Sequence, residues 1–191
     1  MKKQKIQLII MLIVLAVVAG TWFFLGKYNK NAAKEKADDK YTVMTLDSSK
    51  VKEIQIKNDK NSDITLVLSD KNWSLKNDKA LNVDDSKVIS KLNQLSKVTS
   101  SIEIKDVTDF DQYGLEKPST TVTLTLDDGK KMVLNFGNLN SNAGKYYVRI
   151  GSENTVYFID STIKTAFDVD TGDFEKADSA SSAASSKASN D

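Results

Sequence analysis

The spacing of apolar positions along this 191-residue chain changes character several times, and each change marks a boundary. From Ile6 to Leu25 nearly every position is apolar (Ile-Gln-Leu-Ile-Ile-Met-Leu-Ile-Val-Leu-Ala-Val-Val-Ala-Gly-Thr-Trp-Phe-Phe-Leu). A helix of that length rises ~30 Å, the thickness of bilayer hydrocarbon, so residues 1–27 read as a single N-terminal transmembrane helix. Residues 28–40 lose all apolar periodicity beyond a few alanines and read as a charged stalk. From Tyr41 the period is mostly two, the signature of half-buried strands, and it holds to about residue 170. Residues 171–191 are assigned to a disordered tail, Ser/Ala-rich from Asp178 onward, with too little apolar surface to fold.

Within 41–170 the pattern predicts elements one by one. Val51–Lys57 is a strand. Ile64, Leu66 and Leu68 alternate along another, and Ser69-Asp-Lys-Asn72 turns the chain into Trp73-Ser-Leu75. A helix follows, capped by Asp84, with Val88, Ile89, Leu92 and Leu95 on one face and Val98 flanking. Ile102 and Ile104 give a short strand.

Two hairpins can be read for register. Val122, Leu124 and Leu126 share one strand face, and Met132, Leu134 and Phe136 share one face of the next. Cross-strand neighbours lie on the same face, so the paired numbers must sum to an even total. A two-residue Asp128-Gly129 turn gives an odd total. A three-residue loop, Asp127-Asp128-Gly129, pairs Leu124 with Met132 and requires Gly129 in the left-handed conformation. The same rule permits Val148 opposite Val156 and Tyr147 opposite Tyr157. Asp160 caps a short helix over 161–167. The fold class is α+β: a mostly antiparallel sheet built from hairpins, with one main packed helix, preceded by the transmembrane helix.

Basic residues ahead of an apolar run also describe a secretory signal, with Val17-Val18-Ala19 as a small-residue cleavage site. The run continues past that point as Thr21-Trp-Phe-Phe-Leu25, and Trp22, Phe23 and Tyr28 suit an interfacial aromatic belt, so the uncleaved anchor is preferred. Lysines flank both ends in nearly equal number. Lys2, Lys3, Lys5 and the α-amino group form the more compact cluster and are harder to translocate. The expectation is a single-pass protein of the cell membrane, N-terminus cytoplasmic and domain extracytoplasmic.

Charge sharpens this picture. The whole chain carries +1, but residues 1–30 hold five lysines and no acids, which leaves the remainder at −4. No basic stripe is present, so nucleic acid is not an expected partner. The absence of cysteine excludes disulfides and a lipid-modified anchor cysteine, and suits an exported bacterial domain. The absence of histidine removes Ser-His-Asp and Cys-His sites and the common zinc sites, so no catalytic residue is assigned and no enzyme is expected. No cofactor is indicated. Asp109-Phe-Asp111-Gln-Tyr113-Gly114 begins like a calcium loop but has Thr120 where the bidentate glutamate belongs, and Asp168-Val-Asp170 fails similarly, so no metal is expected. Asp106, Asp109 and Asp111 read as turn residues bonding their own backbone. Gly137–Gly144 lacks the features of a phosphate loop and reads as a hairpin connection. The sharpest binding candidate is Tyr147, Arg149 and Tyr157, which alternate away from Val148, Ile150, Val156 and Phe158. Arg149 is the chain's sole arginine, and tyrosine and arginine dominate binding hot spots. The competing reading is that these rings only cover the sheet, with Arg149 stacked on them.

Tyr113-Gly114-Leu115 followed by Pro118, an alternating strand, Asp128-Gly129, a strand ending at Gly137, and Gly144-Lys-Tyr-Tyr-Val-Arg149 before Val156-Tyr157 resemble the domain of unknown function 4340 family. Trp73 after a short turn fits that family's tryptophan strand; Asn77, where a proline is expected, departs from it. The resemblance spans about Tyr41 to Phe167. It implies a membrane-anchored bacterial envelope protein, with relatives linked to auxiliary parts of ABC-transporter-type complexes, and it supplies no catalytic residues. Trp73, Tyr113, Gly114, Leu115, Pro118, Gly129 and Gly137 are read as structural: Gly114 permits a turn, Leu115 plugs the core, and Pro118 starts an edge strand. The function expected is a non-catalytic binding or scaffolding module with an envelope or transporter protein partner. The alternative is a cell-wall glycan or small-ligand module using Tyr147 and Tyr157 as an aromatic platform.

Overall fold

The computed structural model of the chain describes residues 41–60 and 63–177. The expected anchor, stalk and Ser/Ala tail lie outside these residues; among the described ones no helix is long and apolar enough to cross a membrane. The elements are β1 (Tyr41–Thr45), β2 (Val51–Asn58), β3 (Asp63–Ser69), β4 (Asn72–Leu75), α1 (Asp85–Gln94), β5 (Lys97–Ser100), β6 (Glu103–Ile104), β7 (Thr120–Leu126), β8 (Lys131–Asn140), β9 (Lys145–Ile150), β10 (Val156–Asp160) and α2 (Ser161–Ala166). Eight strands form one sheet in the order β4-β3-β2-β7-β8-β9-β10-β6, every neighbouring pair antiparallel, while β1 and β5 make a separate two-stranded sheet. The α+β class with mostly antiparallel pairing is therefore what the chain adopts.

Turn chemistry explains the hairpins. Asp70 and Lys71 both take positive φ, 51° and 71°, the backbone a two-residue hairpin turn needs to match strand twist. At the β7–β8 turn Leu124 pairs with Met132 and Val122 with Leu134, the register that parity requires. The amide of Gly129 donates to the Leu126 carbonyl at 3.0 Å and Leu126 donates to Lys130 at 2.9 Å, closing a three-residue loop with Gly129 at φ 81°.

These registers place Ile54, Ile56, Ile64, Leu66, Val122, Leu124, Leu134, Phe136 and Val148 on one face, all buried. α1 packs against that core through Val88 and Leu92, and its C-cap residue Leu95 is buried in the same core. Its start is fixed by the Asp84 carboxylate, which accepts from the Ser86 amide at 2.9 Å and hydroxyl at 2.6 Å. Ile89, expected in the apolar stripe, is instead 47% exposed, because the buried stripe of this short helix is only as wide as Val88 and Leu92. Val98 belongs to β5, not to the helix flank. Its partner strand β1 was invisible in the pattern because Val43 is bulged there, which interrupts the alternation.

Four further expectations are corrected. Tyr147 pairs with Phe158 and Val148 with Tyr157, an odd total, so the β9–β10 register is shifted by one. The reason is that Val156, Tyr157, Phe158 and Ile159 are all buried, so β10 has no solvent face and parity has nothing to act on. Pro118 does not begin an edge strand, since β7 lies between β2 and β8; the ladder starts at Ser119, whose amide donates to Phe136 at 2.9 Å. β8 does not end at Gly137 but continues to Asn140 through a bulge between Phe136 and Leu139. The domain does not end at 170: Thr171–Phe174 forms a 3-10 turn with an Asp170–Asp173 capping box, and Phe174 is buried.

Candidate functional site

The face of the sheet opposite the main core holds two of the three sequence-derived candidates, Tyr147 and Arg149, and it divides into a sealed half and an open half. The seal is the segment from Ile104 to Leu115. Val107, Leu115 and Val156 form a second, small apolar cluster, against which Ile104, Phe110, Tyr113 and Tyr147 pack. Leu115 thus plugs this cluster and not the main core. Asp109 accepts from the Asp111 amide at 3.0 Å, and the chain then turns through Gly114 at φ 67°.

Of the three candidate binding residues, the structure brings two together and separates the third. Tyr147 and Arg149 share the outer face. Tyr157 sits opposite Val148 and points to the main core, where it is nearly buried. Burial first, and then the carboxylates of Glu103 and Glu153, push the Tyr157 hydroxyl above its ordinary pKa; it donates to Glu103 at 3.4 Å. Tyr147 is held edge-on between Tyr113, at 5.0 Å between centroids, and Phe158, at 4.8 Å, and its hydroxyl accepts from the Asn140 amide at 2.7 Å. Arg149 lies 3.8 Å over the Phe110 ring, while Nε donates to the Glu153 carbonyl at 2.7 Å and Nη2 to Ser152 at 2.9 Å. The trio is therefore no shared aromatic platform. Arg149 clamps its own hairpin turn and fastens the covering segment.

An expected outcome follows. Arg149→Ala lowers stability by about 1–2 kcal/mol, from the lost turn hydrogen bonds and ring contact. Arg149→Lys does not restore it, because an ammonium cannot fork to two carbonyls while stacking. Denaturation midpoints of the three proteins check this.

The open half lies on β3, β2, β7 and β8; its central side chains are half-buried, except Thr65, which is buried, and the exposed ones are Lys57, Asp63 and Lys131. The pairings align Thr65 with Gln55, Thr123 and Val133 in one row, and Val67 with Glu53, Thr125 and Lys131 in the next. A third row runs from Asp63 through Lys57 and Thr121 to Asn135 and Arg149. Its centre is uncharged. Charges stand at the rim, where Lys76 meets Glu53 at 3.3 Å and Lys57 meets Asp63 at 3.4 Å. Val67 and Val133 are half-buried yet belong to neither apolar cluster. The sequence signalled this surface in Thr121-Val-Thr-Leu-Thr125, whose threonines are the outward positions, but those positions lack the aromatic and arginine types that drew attention to β9. Among the described residues no group of three His, Cys, Asp or Glu side chains is placed to hold a metal ion.

Residues 73–184, more than half of the chain, match the family described as Domain of unknown function (DUF4340). The match begins at Trp73, in β4, and extends past Phe174; β1, β2 and β3 precede it, although β2 and β3 are integral to the sheet. No curated protein and no solved structure matches the chain.

Proposed function

The chain belongs to the DUF4340 family, and from the open sheet face we propose that it is a non-catalytic binding or scaffolding module, held outside the cell membrane by its N-terminal helix, that receives a protein partner of the envelope or of an ABC-transporter-type complex. The observation that carries this reading is the make-up of the open face: uncharged threonine, valine and amide side chains in the middle, paired charges around them. Depletion of charge at the centre with a polar rim is one mark of a protein-binding patch. The apolar run 6–25 supplies the tether. A glycan-binding reading needed two open tyrosine rings on one face, and Tyr147 and Tyr157 do not supply them.

A photo-crosslinking residue at position 123, at the centre of the face, tests this in living cells. The expected result is a discrete adduct with one envelope protein, absent when the crosslinker replaces the exposed Ile89. Thr123→Arg is expected to weaken capture of that partner at least tenfold while leaving the melting temperature nearly unchanged. Equal crosslinking at 123 and 89, or capture insensitive to Thr123→Arg, overturns the reading.

A further inference from the structure

Among the described residues the exposed large hydrophobic side chains are Tyr41 at 37%, Ile89 at 47%, Ile102 at 41% and Leu139 at 46%. Ile89 stands on α1. The other three belong to one end of the domain, as their connections show. Tyr41 is the cross-strand partner of Ser100. The Ser100 hydroxyl donates to the Ile102 carbonyl at 2.6 Å and accepts from the Ile102 amide at 3.1 Å. The Lys145 ammonium reaches the Ser101 hydroxyl at 3.4 Å, and Lys145 pairs across β8–β9 with Asn140, the neighbour of Leu139. The turn between Asn140 and Lys145, Ser141-Asn-Ala-Gly144, is exposed and uncharged.

Single exposed apolar residues are ordinary, but three at one end of a small domain ask what they meet. Chain length bears on the answer. Tyr41 is where the described chain begins, and only fifteen residues separate it from Leu25, the last residue of the apolar run. Whatever its conformation, a fifteen-residue connection reaches at most about 50 Å, so the domain stays close to the bilayer. We propose that this end of the domain rests on the bilayer surface, with Ile102 and Leu139 entering the interfacial region, Tyr41 at headgroup depth and the uncharged turn lying against it. The proposal rests on the anchored reading above and deepens it. Two aliphatic side chains and a tyrosine would bind a membrane weakly from free solution. Tethering makes the contact intramolecular and raises the effective concentration of the surface. Tyrosine is suited to the polar–apolar boundary.

The chain has no cysteine, so single cysteines can be labelled without background. Full-length Ile102→Cys, Leu139→Cys and Ile89→Cys proteins, each carrying a nitrobenzoxadiazole fluorophore, are reconstituted into phosphatidylcholine vesicles containing lipid with a shallow nitroxide. The expected result is several-fold stronger quenching at 102 and 139 than at 89, with nitroxide side chains at the same positions more accessible to oxygen than to a water-soluble nickel chelate. Protein that floats with the vesicles but shows equal quenching at all three positions overturns this inference alone. Shielding from water at 102 and 139 without lipid quenching assigns the surface to another copy of the chain and also overturns it. Protein that does not float overturns the anchored reading, and this inference with it.

Discussion

Gly137→Ala is expected to destabilise the domain by about 3 kcal/mol or more, at the upper end of what overpacking costs. A Cβ built on Gly137 would collide with the carbonyl oxygen of Tyr113 and stand 2.9 Å from Leu115 Cγ. The first neighbour is backbone and cannot rotate away. The contact is reciprocal: a Cβ built on Gly114, at φ 67°, would collide with the Asn138 side-chain amide. Tyr113-Gly114-Leu115 and Gly137 therefore form one interlock, in which the covering segment and the β8 bulge approach more closely than side chains allow. Prising it apart would also loosen Tyr113 from Tyr147 and Phe110 from Arg149. Gly129→Ala is the control. Gly129 has positive φ but open space around the added methyl, so only the conformational cost of about 1 kcal/mol applies. Urea denaturation of the two variants separates the effects, and equal midpoints would refute the interlock.

Where one face of a strand meets water, the pattern could be read closely. The β7–β8 register follows from alternation in Thr121–Leu126 and from a loop with glycine in third place. Helix starts at Asp84 and Asp160 were legible because a short carboxylate side chain is the best acceptor for the first free amides. Reading failed where burial came from a distant segment. Val156-Tyr-Phe-Ile159 has no alternation, and nothing local indicates that residues 104–115 cover its second face. The assumption of one wet face shifted the register by one and put Tyr157 beside Tyr147. For the aromatic and arginine cluster on β9 the sequence left two readings, a binding surface or rings that only cover the sheet, and the second describes the packing that holds the cover down. The open threonine face was present in the sequence as the unremarked half of the same alternation.

Ending the chain after Asp170 is expected to abolish cooperative folding, whereas ending it after Ala177 is expected to change stability by less than about 0.5 kcal/mol, the scale of surface changes. The segment between those points straps the domain shut. The Asp84 amide donates to the Phe174 carbonyl at 2.8 Å and the Lys176 amide to Asn82 at 2.8 Å, around an antiparallel bridge between Val83 and Glu175. Lys87 donates to the Glu175 carbonyl at 2.7 Å, and the Lys91 ammonium stands 5.4 Å from the Phe174 ring centre. The strap thus fastens the helix start and carries Phe174 into the main core. Truncating one buried phenylalanine costs about 3–5 kcal/mol. Leaving partly buried backbone groups near Asp84 unpaired adds about 1–3 kcal/mol each. Together these approach the whole 5–15 kcal/mol stability of a typical domain. Phe174→Ala isolates the core contribution and should fall between the two truncations, with Phe174→Leu recovering most of it. A chain ending at Asp170 that unfolds with the same midpoint and cooperativity as one ending at Ala177 would show that α1 and the sheet close their core without the strap.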